Sequence, residues 1–381
     1  MNVLFACSGT AGHINPAIAI ADEIKQLLPD SEILFIGSGR AMENRLIPQA
    51  GYQLMNIKMS GLKRDFSLSM LKHNAMSLAN LYFAMHRAKK IIHQFKPDIA
   101  IGTGGYICYP VIKGAAKFGV PCLVHESNAV PGLTTKMLSH VADNVLVAFP
   151  GLESQYKRPQ NVMYVGTPVR VRASDITENL SRCEETLEND KKLILSFWGS
   201  LGAERMNDMM PEFIRYIITN GEFRLVHAAG NQVELIKIKS LLAKWGISEE
   251  MLENVDLREF IDNMADVIQK ASIVLCRAGG STVAELSYFG KPAVLVPSPY
   301  VSNDEQTKNA EQLMKINAAI SLAEKDCNAA LLYKVVSSIL NDEQLLKNMS
   351  NAYGQLTKTN AATTIARHAI ELTQKQSGKD D

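Results

Sequence analysis

The chain has 381 residues, 46% of them apolar and 21% charged, with 40 Lys+Arg against 39 Asp+Glu. That length fits two domains better than one, and the composition excludes a disordered or fibrous chain. A net charge of +1 supplies no general field for nucleic acid, and no apolar run approaches the ~18 residues that cross a bilayer.

Residues 3–7 form a short apolar run, the pattern of a strand buried on both faces of a parallel sheet. No basic segment precedes it, so the start reads as a first strand and not as a signal peptide. The run enters the turn Ser8-Gly9-Thr10-Ala11-Gly12-His13, and Pro16 opens a helical pattern over 17–28. Further strands are expected at 33–36, 98–101, 122–125 and 145–147, separated by helix-length sequence. After a polar, charge-rich stretch around 174–192 the pattern restarts. A strand at 193–197 leads into the glycine turn 198–203 and a helix at 204–218, and strands recur at 224–227, 273–275 and 293–296. This alternation predicts an α/β fold of two Rossmann-like halves, each a doubly wound parallel sheet. The 6 cysteines are scattered, with neither a disulfide framework nor zinc-ligand spacing, which suits a reducing compartment.

Strand, glycine turn and helix together aim free backbone N–H groups and a positive helix end at a ligand. Neither of the first two turns fits the dinucleotide or P-loop fingerprint. A third turn, Arg277-Ala278-Gly279-Gly280-Ser281-Thr282, again lies between strand and helix. Three such turns favour a diphosphate ligand, expected in a cleft between the halves. Polar clusters also follow predicted strands at 102–106, 125–128, 166–170 and 303–309.

Five segments resemble signatures of the MurG family: 9–17, Gly104-Gly105-Tyr106 with Pro110, 125–134, 277–286 and 304–310. They run along the chain in the family's order. The resemblance implies a GT-B fold of two Rossmann-like domains. The implied domains are an acceptor- and membrane-facing domain over 1–165, a UDP-sugar domain over 166–350, and a C-terminal segment 351–381 whose helix returns to the first. It also implies transfer of N-acetylglucosamine from UDP-N-acetylglucosamine to the C4 hydroxyl of undecaprenyl-pyrophosphoryl-N-acetylmuramoyl-pentapeptide, with inversion. The implied location is peripheral, on the cytoplasmic face of the inner membrane. No cofactor, metal or nucleic acid is implied.

Site roles carry over from the same resemblance. His13 is the implied base, a residue type that ordinarily titrates near neutrality. The alternative is that it caps the helix or only orients the acceptor. Thr10, Ala11 and Gly12 would offer backbone donors in its turn. Arg170, Ser200, Ser281 and Thr282 match the diphosphate contacts, Glu285 the ribose position and Ile261 the uracil position. Asn128, Gln306 and the backbone at Gly280 would hold the sugar. The chain departs from the family pattern at Ser8, Ala11, Trp198, Leu201 and Thr167, and Ala11 raises the question whether the turn needs a left-handed residue there.

The segment 66–95 interleaves Met, Leu and aromatic residues with Lys and Arg. By itself that stripe reads as core; with the resemblance it reads as a contact with an anionic membrane. Two other functions share the architecture or the chain's signatures. One is another sugar-nucleotide enzyme, such as a UDP-N-acetylglucosamine 2-epimerase or a glycolipid glycosyltransferase. The other is a wall-synthesis scaffold that has lost catalysis.

Overall fold

The computed structural model describes residues 1–59, 68–170, 191–199, 202–261, 264–356 and 361–377, with the backbone alone at 68–79, 376 and 377. The chain divides into two compact units, Met1–Arg170 with Thr357–Asp381, and Val171–Leu356.

The first unit is built on β1 (Asn2–Cys7), β2 (Glu32–Gly37), β3 (Gln53–Asn56), β4 (Ile99–Gly104), β5 (Cys122–Glu126), β6 (Asn144–Val147) and β7 (Val162–Tyr164). They lie in the order β3-β2-β1-β4-β5-β6-β7, every pair parallel. Both faces are covered, which is why β1 reads as a continuous apolar run. Val3, Phe5 and Cys7 pack with α1 (Ala11–Leu27), α2 (Ala41–Gln49) and the C-terminal helix Ala361–Ser377, whose Ile365, Ala366 and Ala369 are buried. Leu4 and Ala6 pack with α3 (Leu68–Phe95), α4 (Cys108–Lys117) and α5 (Leu133–Leu138).

The first helix starts earlier than the sequence predicts. It begins at Ala11 and contains Pro16, with Thr10 as its extended N-cap. Pro16 has no N–H to donate to the Gly12 carbonyl, so the first turns of the helix lack that bond. Ala11 is therefore helical and absent from the left-handed residues; only Gly9 (φ 99°) takes that conformation in the turn. The substitution at Ala11 meets no backbone obstacle.

On α3 the described side chains split by face. Ala84, Ala88, Ile91 and Ile92 are buried in the core, whereas Tyr82 and Phe83 are 72% and 68% exposed. Part of the apolar stripe is thus core. No described helix is long and apolar enough to cross a membrane.

The second unit is built on β8 (Leu193–Phe197), β9 (Arg224–Ala228), β10 (Val255–Arg258), β11 (Ile273–Cys276), β12 (Ala293–Leu295) and β13 (Ala319–Ser321), in the order β10-β9-β8-β11-β12-β13. All its strand pairs are parallel too. Its helices are α6 (Glu204–Asn220), α7 (Gln232–Lys244), α8 (Met264–Lys270), α9 (Gly280–Phe289), α10 (Glu305–Lys315), α11 (Ala329–Asn341) and α12 (Glu343–Ala352). In each sheet the strand order reverses beside the unit's first strand, at β1/β4 and at β8/β11. Chains leave such a reversal in opposite directions, which opens a crevice at the strands' carboxyl ends where α/β sheets hold ligands.

Candidate active site

At the reversal in the first unit, the turn after β1 is tied to the turn after β4. The Ser8 N–H donates to the Gly104 carbonyl (3.1 Å), and the Thr103 hydroxyl donates to the His13 carbonyl (2.7 Å). Two left-handed glycines make this approach possible. A methyl group at Gly104 would lie 2.2 Å from His13 Nδ1, and one at Gly105 would lie 2.2 Å from Ser8 Oγ. Gly105→Ala should therefore cost about 2–4 kcal/mol, from strain at φ 88° and the clash with Ser8. Urea denaturation reads this directly, and a loss under 1 kcal/mol (about the size of a benign surface change) would mean the two turns can separate.

His13 sits in the first turn of α1, half-buried, with Nδ1 closed off from solvent and without a hydrogen-bond partner. Burial lowers its pKa, opposed by the charge of Glu126 and by the Thr103 carbonyl. Against the expectation of titration near neutrality, the net shift is downward and favours the neutral imidazole, the form a base needs. With Nδ1 enclosed against Gly104, Nε2 is the nitrogen left to receive a proton.

The turn after β5 has a different organisation. The Glu126 carboxylate is buried and accepts the Asn128 N–H and side-chain amide (both 3.2 Å), the Gly132 N–H (3.0 Å) and the Thr135 hydroxyl (2.6 Å). With its lone pairs so occupied it shapes the 126–135 loop and presents Asn128. His125 is buried beside it; Nε2 donates to the Gly166 carbonyl (2.8 Å), which leaves Nδ1 to face Ser127 Oγ (3.4 Å). Burial drops its pKa to about 4, so His125 is a neutral strap. Arg170 belongs to this unit as well. Its guanidinium is held by Asp22 of α1 at 3.1 Å, with Tyr52 donating to the other Asp22 oxygen at 2.6 Å.

At the reversal in the second unit, α9 starts at Gly280 behind the N-cap Gly279, which contributes no side-chain cap. The N–H groups of Gly280, Ser281 and Thr282 have no acceptor within the helix, and the half-buried hydroxyls of Ser281 and Thr282 stand beside them. One turn on, Glu285 is half-buried and makes no hydrogen bond or ion pair with the described residues. Desolvation pushes its carboxyl up to about 7. An unpaired, desolvated carboxylate next to free helix donors is unfavourable alone and suits a ligand carrying both hydroxyls and negative charge.

The neighbouring segment is preset. Asn303 and Asp304 are both left-handed before α10 begins, and Thr307 donates to Asp304 at 2.6 Å. Gln306 accepts the Ser298 N–H at 2.8 Å, which turns its NH₂ away from that loop. Asn309 is buried and donates to the Ala278 carbonyl at 3.0 Å, joining α10 to the turn before α9. Arg277, in the same turn, is committed to structure: it is buried, donates to the Val296 carbonyl at 2.9 Å and pairs with Glu324 at 2.6 Å. Ile261 is buried after β10. Ser200 and Leu201 lie outside the described residues.

The structure thus brings Thr10, Ala11, Gly12 and His13 together in one unit, and Gly280, Ser281, Thr282, Glu285 and Gln306 in the other. Thr103 and Glu43 brace the His13 turn; the sequence marked Thr103 only as part of the polar cluster 102–106 and missed Glu43. For Glu43 a signal existed, a glutamate three residues into a helix behind Ser38-Gly39.

Residues 3–147 match the Glycosyltransferase family 28 N-terminal domain and residues 193–367 the Glycosyltransferase family 28 C-terminal domain. These two domain matches, with the fold, define a glycosyltransferase of two Rossmann-like units. Over 378 residues the chain is 39% identical to the UDP-N-acetylglucosamine–N-acetylmuramyl-(pentapeptide) pyrophosphoryl-undecaprenol N-acetylglucosamine transferase of Thermoanaerobacter sp. (strain X514), covering 98% of this chain and 100% of that one. It is 36% identical over 365 residues to the protein of that name from Acetivibrio thermocellus, covering 96% of each. Among solved structures, Acinetobacter baumannii MurG aligns with a TM-score of 0.72 at 26% identity, over 97% of this chain and 100% of that one. The chain belongs to the MurG family.

Proposed function

We propose that this protein transfers N-acetylglucosamine from UDP-N-acetylglucosamine to the C4 hydroxyl of a lipid-linked N-acetylmuramoyl-pentapeptide, inverting the anomeric centre. The observation that carries this reading is the end-to-end identity with transferases of that name, 39% over 98% of the chain. The geometry of the two reversals supports it. In the second unit, Glu285 accepts the ribose hydroxyls, while Ser281, Thr282 and the α9 N-terminus take the diphosphate. Arg170 and Ser200 add to the charge stabilisation, Ile261 packs at the uracil, and Gln306, Asn128 and the Gly280 backbone fix the sugar. In the first unit the neutral form of His13, which burial favours, accepts the acceptor's proton at Nε2 as the acceptor oxygen attacks the anomeric carbon. The bond from that carbon to the diphosphate oxygen breaks, and its electron pair leaves on UDP. Thr10, Ala11 and Gly12 give backbone N–H donors to the acceptor.

Radiolabelled sugar appearing in a lipid-extractable disaccharide, with UDP as co-product, is the expected result. Conversion of UDP-N-acetylglucosamine without an acceptor would favour an epimerase, and no turnover by the folded protein would favour a scaffold.

A peripheral contact with an anionic membrane through α3 is part of this proposal. Exposed Tyr82 and Phe83 stand near exposed Arg87 and Lys90. Replacing Lys72, Lys89 and Lys90 together by Glu should release the protein from anionic vesicles, at up to ~1 kcal/mol per basic residue near the surface. Cosedimentation measures it, and full binding by the triple variant would put the membrane face elsewhere. The side chain of Lys72 lies outside the described residues.

A further inference from the structure

Glu43 is a carboxylate with no solvent exposure, one turn into α2. Its oxygens accept five hydrogen bonds. Oε2 takes the N–H groups of Ser38 (2.6 Å), Gly39 (2.9 Å) and Arg40 (3.3 Å). Oε1 takes the Ser38 hydroxyl (2.8 Å) and the Gly9 N–H (2.9 Å). The four bonds to residues 38–40 are local: they cap α2 and close the turn after β2. The fifth is not local. It crosses to the turn after β1, one residue before the Thr10 N-cap of the helix that carries His13.

Two features show that the crossing is built into this corner of the unit. Gly9 is left-handed, so its N–H points away from the α1 ladder and needs an acceptor from elsewhere. Gly37, the last residue of β2, has no side chain, and a methyl group there would lie 2.7 Å from Glu43 Oε2. The His13 turn is then gripped from both sides. Thr103 and Gly104 hold it from β4, and Glu43 holds it from α2.

We infer that Glu43 is a positioning residue for the sugar transfer: by accepting the Gly9 N–H it fixes the turn that aims the His13 imidazole. The inference rests on the glycosyltransferase reading above. Glu43 touches no substrate; it acts through the backbone of residues 9–13. A charge-assisted bond to one N–H is short and directional, and displacements of about 1 Å at a reacting group cost about 10²-fold in rate.

The test compares Glu43→Gln with Ser38→Ala. Gln keeps the shape but turns an NH₂ toward either Gly9 or the 38–40 turn. Ser38→Ala removes one local bond and leaves the bond to Gly9. Transfer assays on the full chain should show kcat per folded molecule down about 10–100-fold in Glu43→Gln, with the KM for UDP-N-acetylglucosamine and the affinity for UDP unchanged. Amide hydrogen exchange over residues 8–13 should quicken in the same variant. Ser38→Ala should melt lower and keep its kcat. A wild-type kcat per folded molecule in Glu43→Gln overturns the inference, as does an equal loss of kcat in Ser38→Ala, which would put the effect in the local cap. If Glu43→Gln does not fold, Glu43→Asp keeps the charge and withdraws it from Gly9 by one methylene; a wild-type kcat there is equally fatal. A wild-type protein that transfers no sugar would instead sink the functional reading, and the exchange rates would still report whether Glu43 holds the turn.

Discussion

Replacing His13 by alanine is expected to lower turnover about 10²–10⁴-fold while leaving UDP-N-acetylglucosamine affinity nearly unchanged. The residues assigned to the nucleotide lie mostly in the second unit, whereas His13 lies in the first, so its loss belongs to the chemical step. Its pH behaviour gives a second signature. Burial lowers the pKa, so the imidazole gains its proton at lower pH than an ordinary histidine does. The acid limb of the turnover profile should accordingly lie at lower pH than an ordinary histidine would give. The stability linkage has the same direction. A histidine whose folded pKa is depressed destabilises the fold as pH drops below the unfolded value, because the unfolded state then binds more protons. His13→Ala should lose part of that acid sensitivity. Single-turnover rates measured beside melting curves separate the roles. A normal rate in the folded variant, with a lower melting temperature, would make His13 a helix-cap or packing residue and would falsify the base assignment.

Glu285→Ala is expected to weaken UDP binding by roughly 2–3 kcal/mol, because two charge-assisted bonds to the ribose are lost. Calorimetry tests this, and an unchanged dissociation constant removes Glu285 from the site. The raised pKa adds a sign. In the empty protein the carboxyl titrates at about 7, above its ordinary 4.5, while ribose hydroxyls favour the ionised form. Binding should therefore release a proton below pH 7, and UDP affinity should fall as pH drops through that region. The Gln variant should lack this dependence. Stability moves oppositely. A carboxyl raised in the fold destabilises it increasingly as pH rises from 4.5 to about 7. Glu285→Gln should then be more stable than the parent at pH 8, by about 1 kcal/mol after allowing for partial solvent screening, with the gain gone near pH 4.5. Such a variant, more stable yet weaker for UDP, has the pattern of a site strained for its ligand.

Nine strands were legible in the sequence, and the four that were not are β3, β7, β10 and β13, which are the two edges of each sheet. The reason is burial. Central strands such as β1 and β5 are enclosed on both faces and read as unbroken apolar runs, whereas β3 and β10 alternate partly exposed residues and carry no such signal. The start of α1 was misplaced for a related reason. Pro16 is a strong local marker for a first turn, yet packing of Ile14 and Ala17 into the core extends the helix back to Ala11.

The site divides along the same line. Composition and motif spacing determined by themselves that the chain is a two-unit α/β protein with glycine turns after β1, β8 and β11, because those signals are local; His13 and Glu285 were singled out by the family resemblance that rests on those motifs. Tertiary structure alone decided their chemistry. Whether Glu126 acts as a base or organises a loop depends on donors from 128 to 135 closing around it. Whether His13 is charged depends on Gly104, some ninety residues away, leaving room for its ring to be buried. The bond from Glu43 to Gly9 joins turns that β1 and β2 bring side by side. Protonation states and hydrogen-bond partners are set by desolvation and distance, and both arise only when separate segments fold against one another.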